Sequence, residues 1–278
     1  MADFSEKPVV IVTGSSGYIG SAVVKKLALH YRVIGFDRGS APHPPAEAEC
    51  ICVDVTDQSS IDAAFARVRT AYGIRIASVV HLAAYFDLIG EPNPKYDEVT
   101  VKGTERLLAA LQEFELEQFA FVSTMLVHAP TKPGKPIDES SPLDAHLPYR
   151  ESKIRTEQLI RDERDGIRAV FIRPAGVYDD EGHSAFLAQQ IARIYEKRAS
   201  AHVYPGDLDT GQPYLHLDDL LEAIERIVDR RQDLPEEWPV LLGETDVMAF
   251  GEIQQCGSAP KRDPADDCGY FLKPNRND

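Results

Sequence analysis

The stretch "PVVIVTGSSGYIG", residues 8–20, decides how this chain is read. An apolar run from Val9 to Val12 gives way to Gly14, Gly17 and Gly20, with hydroxyl residues between them and no charge. A short apolar run bounded by turn residues reads as a buried strand. Ile19, Val23 and Leu27 then fall on one stripe, which reads as a helix. A glycine-rich turn between such a strand and helix lets backbone approach a pyrophosphate, with the free N–H groups of the helix start as the positive end. A tight turn with no ligand has the same local pattern, so the companions of the turn carry weight. Asp37 closes the next apolar run, in "VIGFDRG". A carboxylate there can accept from a ribose 2′-hydroxyl and repel a 2′-phosphate, which points to NAD. Arg38 beside it could pair with that phosphate and leaves NADP open.

Outward from this turn, short apolar runs alternate with longer amphipathic ones. The strand candidates are Val9 to Val12, Arg32 to Phe36, Cys50 to Val53, Ser78 to Leu82, Gln118 to Ser123 and Arg168 to Ile172. Helices are expected over Tyr18 to His30, Ser59 to Ala71, Tyr96 to Phe114 and Pro148 to Asp165. Alternation of this kind predicts an α/β fold, a doubly wound parallel sheet covered on both faces (the Rossmann fold), with a small and incomplete C-terminal substrate lobe. The expected division is a cofactor-binding domain over residues 1–174, then substrate-lobe segments over 175–250, interleaved with the last sheet elements. An irregular tail follows over 251–278, "CGSAPKRDPADDCGYFLKPNRND" at its core, with no helical or strand period.

The 278 residues carry a formal net charge of −15, which argues against nucleic acid and anionic membranes as partners. No apolar run approaches a membrane span and the first residues are charged, so a cytoplasmic protein is expected. Cys50 and Cys52, two apart on one strand, share a face and are expected to pack; no spacing completes a metal site.

Further signatures recur in order: "DVTD" from Asp54, "HLAA" from His81, "VTVKGTERLL" from Val99, "FVSTMLVHAP" from Phe121, "YRESK" from Tyr149, "RPAGVYDD" from Arg173 and "YLHLDDL" from Tyr214. Over roughly residues 8–245 the chain resembles the extended short-chain dehydrogenase/reductase superfamily, the branch also called the NAD-dependent epimerase/dehydratase family. The resemblance implies an enzyme, NAD as cofactor, and a homodimer built on the helices at Tyr96 to Phe114 and Pro148 to Asp165. It implies a cofactor site at Gly14, Ser15, Ser16, Gly17, Tyr18, Ile19, Gly20, Asp37, Arg38, Asp54, Val55, Leu82, Ala83, Ala84, Lys102, Ser123, Tyr149, Lys153, Pro174 and Val177.

The expected chemistry is hydride transfer at a secondary alcohol or ketone of a sugar-like or other small molecule. A phenol near pKa 10 is too weak an acid to work unaided at neutral pH. Tyr149 and Lys153 at i and i+4 share a helix face, so the ammonium can stabilise a phenolate. By family analogy Thr124 is the hydroxyl that hydrogen-bonds the substrate oxygen. His81 and His216 read as structural histidines. Dehydratase members carry an Asp-Glu pair after the threonine; here Met125 and Leu126 stand there, which argues against water elimination. Gln212 and Gly176 replace an arginine and an asparagine that grip a diphosphate in many epimerases, and this weakens the case for a nucleotide-sugar substrate. Epimerase and simple dehydrogenase both remain. An NADP-dependent carbonyl reductase and a non-catalytic dinucleotide-binding sensor or scaffold are the alternatives.

Overall fold

The five central strands of the sheet are short and buried for most of their length, as a sheet covered on both faces requires. The computed structural model describes residues 7–38, 45–87, 91–132, 134–184, 187, 211, 213–245, 247, 249 and 251–252. The elements that position the site begin with β1 (Val9–Thr13), α1 (Tyr18–Leu27), β2 (Arg32–Asp37), β3 (Glu49–Cys52) and α2 (Gln58–Tyr72). They continue with β4 (Arg75–Ile76), β5 (Ser78–His81), a π-helical turn (Tyr96–Val101), α3 (Lys102–Leu111), β6 (Glu115–Leu116) and β7 (Gln118–Val122). A short 3₁₀ turn (Met125–Val127), α4 (Pro148–Glu163), β8 (Arg168–Pro174), β9 (Gly176–Tyr178), β10 (Tyr214–His216), α5 (Leu217–Asp229) and β11 (Glu237–Leu242) complete the order.

Seven strands form one sheet in the order β11-β8-β7-β5-β1-β2-β3, with every pairing parallel. The chain leaves β1 toward β2 and β3 and then resumes on the other side at β5. The sheet's switch point therefore lies between β1 and β5, where doubly wound folds bind ligands beyond the strands' carboxyl ends. Phe36, Phe65, Leu107, Phe119, Phe121 and Phe171 are among the residues that fill the core. The described residues fall into two compact units: those within Met1–Pro130, Ile137–Pro174 and Asp219–Leu242, and those within Thr131–Pro136, Ala175–Asp218 and Gly243–Asp278. In the second unit β9 pairs with β10, and the Asp218 backbone N–H donates to His216 Nδ1 at 3.2 Å, a structural role for that histidine.

Several expectations are corrected. The helix expected over Tyr96 to Phe114 is a π turn followed by an α-helix that ends at Leu111. β11 is absent from the sequence reading; it carries Pro239, and at the sheet's edge one missing N–H is tolerated. α5 is absent from it too, although Leu220, Ile224, Ile227 and Val228 form its buried face. Cys50 and Cys52 do flank buried Ile51 on the same side, but that side is the outer one: Cys50 is half-buried and Cys52 exposed. Beyond residue 252 the tail lies outside the described residues, as does Gln212.

Gln118 ties the lower edge of the sheet together, accepting from Ser78 Oγ at 3.0 Å and donating to the Ile227 carbonyl at 3.2 Å while fully buried. Gln118→Ala strands both partners, and urea unfolding should show a loss of about 1–3 kcal/mol.

Candidate active site

All the strands are parallel, so the residues at their carboxyl ends share one edge of the sheet. That edge collects Gly14 after β1, Asp37 ending β2, Leu82 to Ala84 after β5, Ser123 and Thr124 after β7, and Pro174 ending β8.

The turn after β1 explains its glycines by contact. Gly14 has φ +69°, and its N–H donates to the Phe36 carbonyl at 2.8 Å. A Cβ there would also stand 3.0 Å from the Ala83 nitrogen. A Cβ on Gly20 would collide with the Gly14 carbonyl oxygen, so the helix can pack this close to the turn only with glycine. No side chain caps α1 among the described residues, and its first turn has no acidic group. Ser15 Oγ and Ser16 Oγ are buried without a hydrogen-bond partner among the described residues. Unspent donors, a dipole's positive end and backbone bare of Cβ atoms fit a pyrophosphate. Asp37 faces the same turn: Oδ2 accepts from Ser16 N–H at 2.7 Å and Oδ1 from Arg38 N–H at 2.8 Å, and the Arg38 side chain is exposed.

The other cofactor candidates divide. Asp54 is exposed and turns back on Thr56 through Oδ1, whereas Val55 is buried under Gly103. Lys102 is held by Glu98 at 2.6 Å and Asp97 at 3.1 Å, partners that raise its pKa. Tyr18 is exposed and Ile19 half-buried at the start of α1, while Val177 lies on β9 in the second unit.

Ala83 and its neighbour are fixed by a directional chain through His81. The Leu82 and Ala83 N–H groups donate to Thr13 Oγ1 at 3.2 and 3.1 Å, and Thr13 Oγ1 meets His81 Nδ1 at 2.7 Å. On the far side His81 Nε2 meets Thr104 Oγ1 at 2.9 Å, which itself donates to the Thr100 carbonyl at 2.6 Å. The Thr104 hydrogen is thereby used, so Nε2 carries the imidazole proton and Nδ1 accepts. Thr100 belongs to the π turn, and its hydroxyl accepts from Tyr85 N–H at 3.0 Å. The same turn sets the Tyr96 ring against Tyr85 at 4.8 Å and Tyr149 at 6.4 Å.

α4 begins at Pro148, whose missing N–H costs nothing at a helix start. Tyr149 is half-buried, with Phe86 edge-on at 5.1 Å. Burial, reinforced by Tyr96, pushes its phenol well above the ordinary value. Lys153, one turn on, is buried; its Nζ donates to the Val122 carbonyl at 2.8 Å, 4.6 Å from the Phe121 ring centroid and 6.0 Å from that of Tyr149. Burial pushes this ammonium down to about 7, against the pull of Glu157. Two residues past Val122, Thr124 accepts from Leu126 N–H at 3.2 Å, which leaves the hydroxyl hydrogen to donate. The sequence reading missed Tyr96, His128 and Glu157. Only Glu157 carried a signal, its place four residues after Lys153 on one helix stripe.

The fold and this edge of the sheet define a dinucleotide-dependent enzyme class. The family described as "NAD dependent epimerase/dehydratase family" matches residues 10–241, and the chain belongs to that family of NAD-dependent enzymes. A UDP-glucose 4-epimerase of Streptomyces lividans is 32% identical over 248 residues, covering 80% of this chain and 71% of the relative. Human 3 beta-hydroxysteroid dehydrogenase type 7 is 31% identical over 208 residues, 66% of this chain and 54% of that protein. The structure of a Thermus thermophilus UDP-glucose 4-epimerase with NAD shares the fold at a TM-score of 0.72 and 24% identity, over 90% of this chain and 82% of that one. No helix among the described residues is long and apolar enough to cross a membrane.

Burial pushes His81 down to about 3, with the Lys153 charge adding to it. The unfolded chain takes up this proton near pH 6.5. Between those values the unfolded state binds more protons, so the His81 contribution is complete above pH 6.5 and is lost as pH falls toward 3. Urea unfolding at pH 7.5 and 4.5 should show wild type losing roughly 2 kcal/mol more than His81→Asn.

Proposed function

We propose that the enzyme oxidises, reduces or epimerises a small molecule at a secondary alcohol or ketone, with Tyr149 as proton donor and acceptor. The observation that carries this reading is Lys153: a buried ammonium on the Tyr149 face of α4, hydrogen-bonded to the strand end that leads into Thr124. Bound NAD supplies the two-electron redox step. The phenol resists ionisation because it is buried, and the lysine amine resists protonation for the same reason; each charged form favours the other in this low-dielectric setting. Thr124 donates to the substrate oxygen while the phenol exchanges a proton with it. On this reading Gly14 to Gly20 hold the pyrophosphate, Asp37 the adenosine ribose, and Leu82 to Ala84, Ser123 and Pro174 line the rest of the cofactor.

Epimerisation of a nucleoside-diphosphate sugar is the second reading, favoured by the names of the Streptomyces and Thermus relatives. Interconversion of UDP-glucose and UDP-galactose by the purified protein decides for it, and its absence alongside NAD-linked oxidation of another secondary alcohol decides for the first. We further propose a homodimer through α3 and α4; sedimentation showing only monomer at micromolar concentration would exclude it.

Titration with NADH should give saturable binding that weakens about tenfold in Asp37→Ala, with a smaller change for NADPH. Tyr149→Phe should bind NADH within about twofold of wild type while turnover falls by roughly 10²–10⁴. Loss of binding in Tyr149→Phe, or unaltered turnover, would refute the assignment.

A further inference from the structure

One turn beyond Lys153, α4 carries a carboxylate with no access to water. Glu157 is fully buried, and Arg173 near the end of β8 meets it with two parallel hydrogen bonds, Nε to Oε1 at 3.0 Å and Nη2 to Oε2 at 2.6 Å. Arg161 adds a longer contact to Oε2 at 3.4 Å. The remaining edge of Arg173 is also used: Nη1 lies 3.0 Å from His128 Nε2. A guanidinium only donates, so Nε2 is the acceptor and the proton of His128 sits on Nδ1, which donates to the Ser141 carbonyl at 2.9 Å.

A buried ion pair is weak evidence of stabilisation, because desolvating both charges offsets much of their attraction. Its position is the informative part. Tyr149, Lys153 and Glu157 follow one another at four-residue spacing on α4. Burial pushes the Glu157 carboxyl up, but the Arg173 hydrogen bonds and charge outweigh this and hold it below the ordinary range, so the carboxylate stays ionised beside Lys153. His128 stands four residues after Thr124 and bridges Leu143 in antiparallel fashion. Ala129 N–H donates to the Pro142 carbonyl and Asp144 N–H to the Val127 carbonyl, both at 2.8 Å. These bonds join the leg that leaves Thr124 to the leg that arrives at Tyr149.

We propose that Glu157, Arg173 and His128 are positioning residues that keep Lys153 charged beneath Tyr149 and lock the leg that leaves Thr124 and the leg that arrives at Tyr149 against α4. The inference rests on the assignment of Tyr149 and Lys153 made above. The groups that face Lys153 are the Val122 carbonyl and Phe121 ring from β7, Tyr149 and Glu157 from α4, and His81 from β5. Those that face His128 are Arg173 from β8, Glu157 from α4, and Asp138 and the Ser141 carbonyl from the returning leg.

Lys153 is followed directly by ¹³C NMR of its Cε in lysine-labelled protein, the signal being the one that Lys153→Met removes. Glu157→Gln should lower its titration midpoint by about one unit. If that variant does not fold, Glu157→Gln with Arg173→Met removes both charges and should lower the midpoint by less, because the Arg173 repulsion goes with the Glu157 attraction; an unchanged midpoint overturns the proposal. His128→Phe should speed amide exchange at Ala129 and Asp144 roughly tenfold while Val10 and Phe119 in the sheet keep their protection. His128→Gln, whose carbonyl can accept from Arg173, should restore it, and equal exchange in all three proteins contradicts the locking role. Lys153→Met separates the two levels of argument. If it leaves NADH affinity and its pH dependence unchanged, the site assignment itself fails; if it alters them while the Glu157 and His128 readouts stay flat, only the positioning frame fails.

Discussion

The structure depends on one close approach of backbone to backbone. At Gly14 the chain must leave β1, bond to the end of β2 and pass within van der Waals contact of the segment after β5, all in one residue at positive φ. The switch point of the sheet lies there, so any widening of the turn would separate the strand ends that meet at the proposed cofactor edge. Gly20 and Gly35 continue the constraint on either side. A Cβ at Gly35 would stand 2.6 Å from Ser15 Oγ, so even the interior of β2 is shaped by the turn.

Near that turn, two chains of buried hydrogen bonds give each of their own protons an assigned place. The Thr13–His81–Thr104–Thr100 chain runs in one direction from the Ala83 amide to the π turn, and the His128–Arg173–Glu157 chain runs from the returning leg to α4. The two chains reach opposite ends of the Tyr149 neighbourhood. One ends where the π turn presents Tyr96, and the other ends a helical turn behind Lys153. Fully satisfied networks of this sort specify a geometry more than they add stability. A group whose pKa must be held far from its ordinary value needs such a specified geometry.

Most of the sheet was legible in the sequence, because a strand buried on both faces has to be apolar along its length and has to stop at turn residues; β1, β2, β5, β7 and β8 obey both rules. β11 lies at the sheet's edge, where it is only partly buried and can hold Pro239, which has no N–H to give to a neighbouring strand. The π turn was not legible, since the pattern over Tyr96 to Leu111 is helical and the Thr100 contact to Tyr85 leaves no mark in it. Gly14, Asp37, Tyr149 and Lys153 stand out as candidates through spacing and order, and Thr124 through the family resemblance. Glu157 and His128 were not singled out, because their meaning depends on Arg173, which is distant from both along the chain. Lys102 is a matching motif position as well, and its ammonium is engaged by Asp97 and Glu98.

The central claim is that the carboxyl edge of the sheet at the β1–β5 switch holds NAD against the Tyr149 face of α4. Hydrogen–deuterium exchange with and without NADH tests it most directly. The account predicts new protection confined to the amides of residues 14–20, 37–38, 82–84 and 123–124 and the start of α4. Protection elsewhere, or unchanged exchange at Gly14 to Gly20 under saturating NADH, would contradict it.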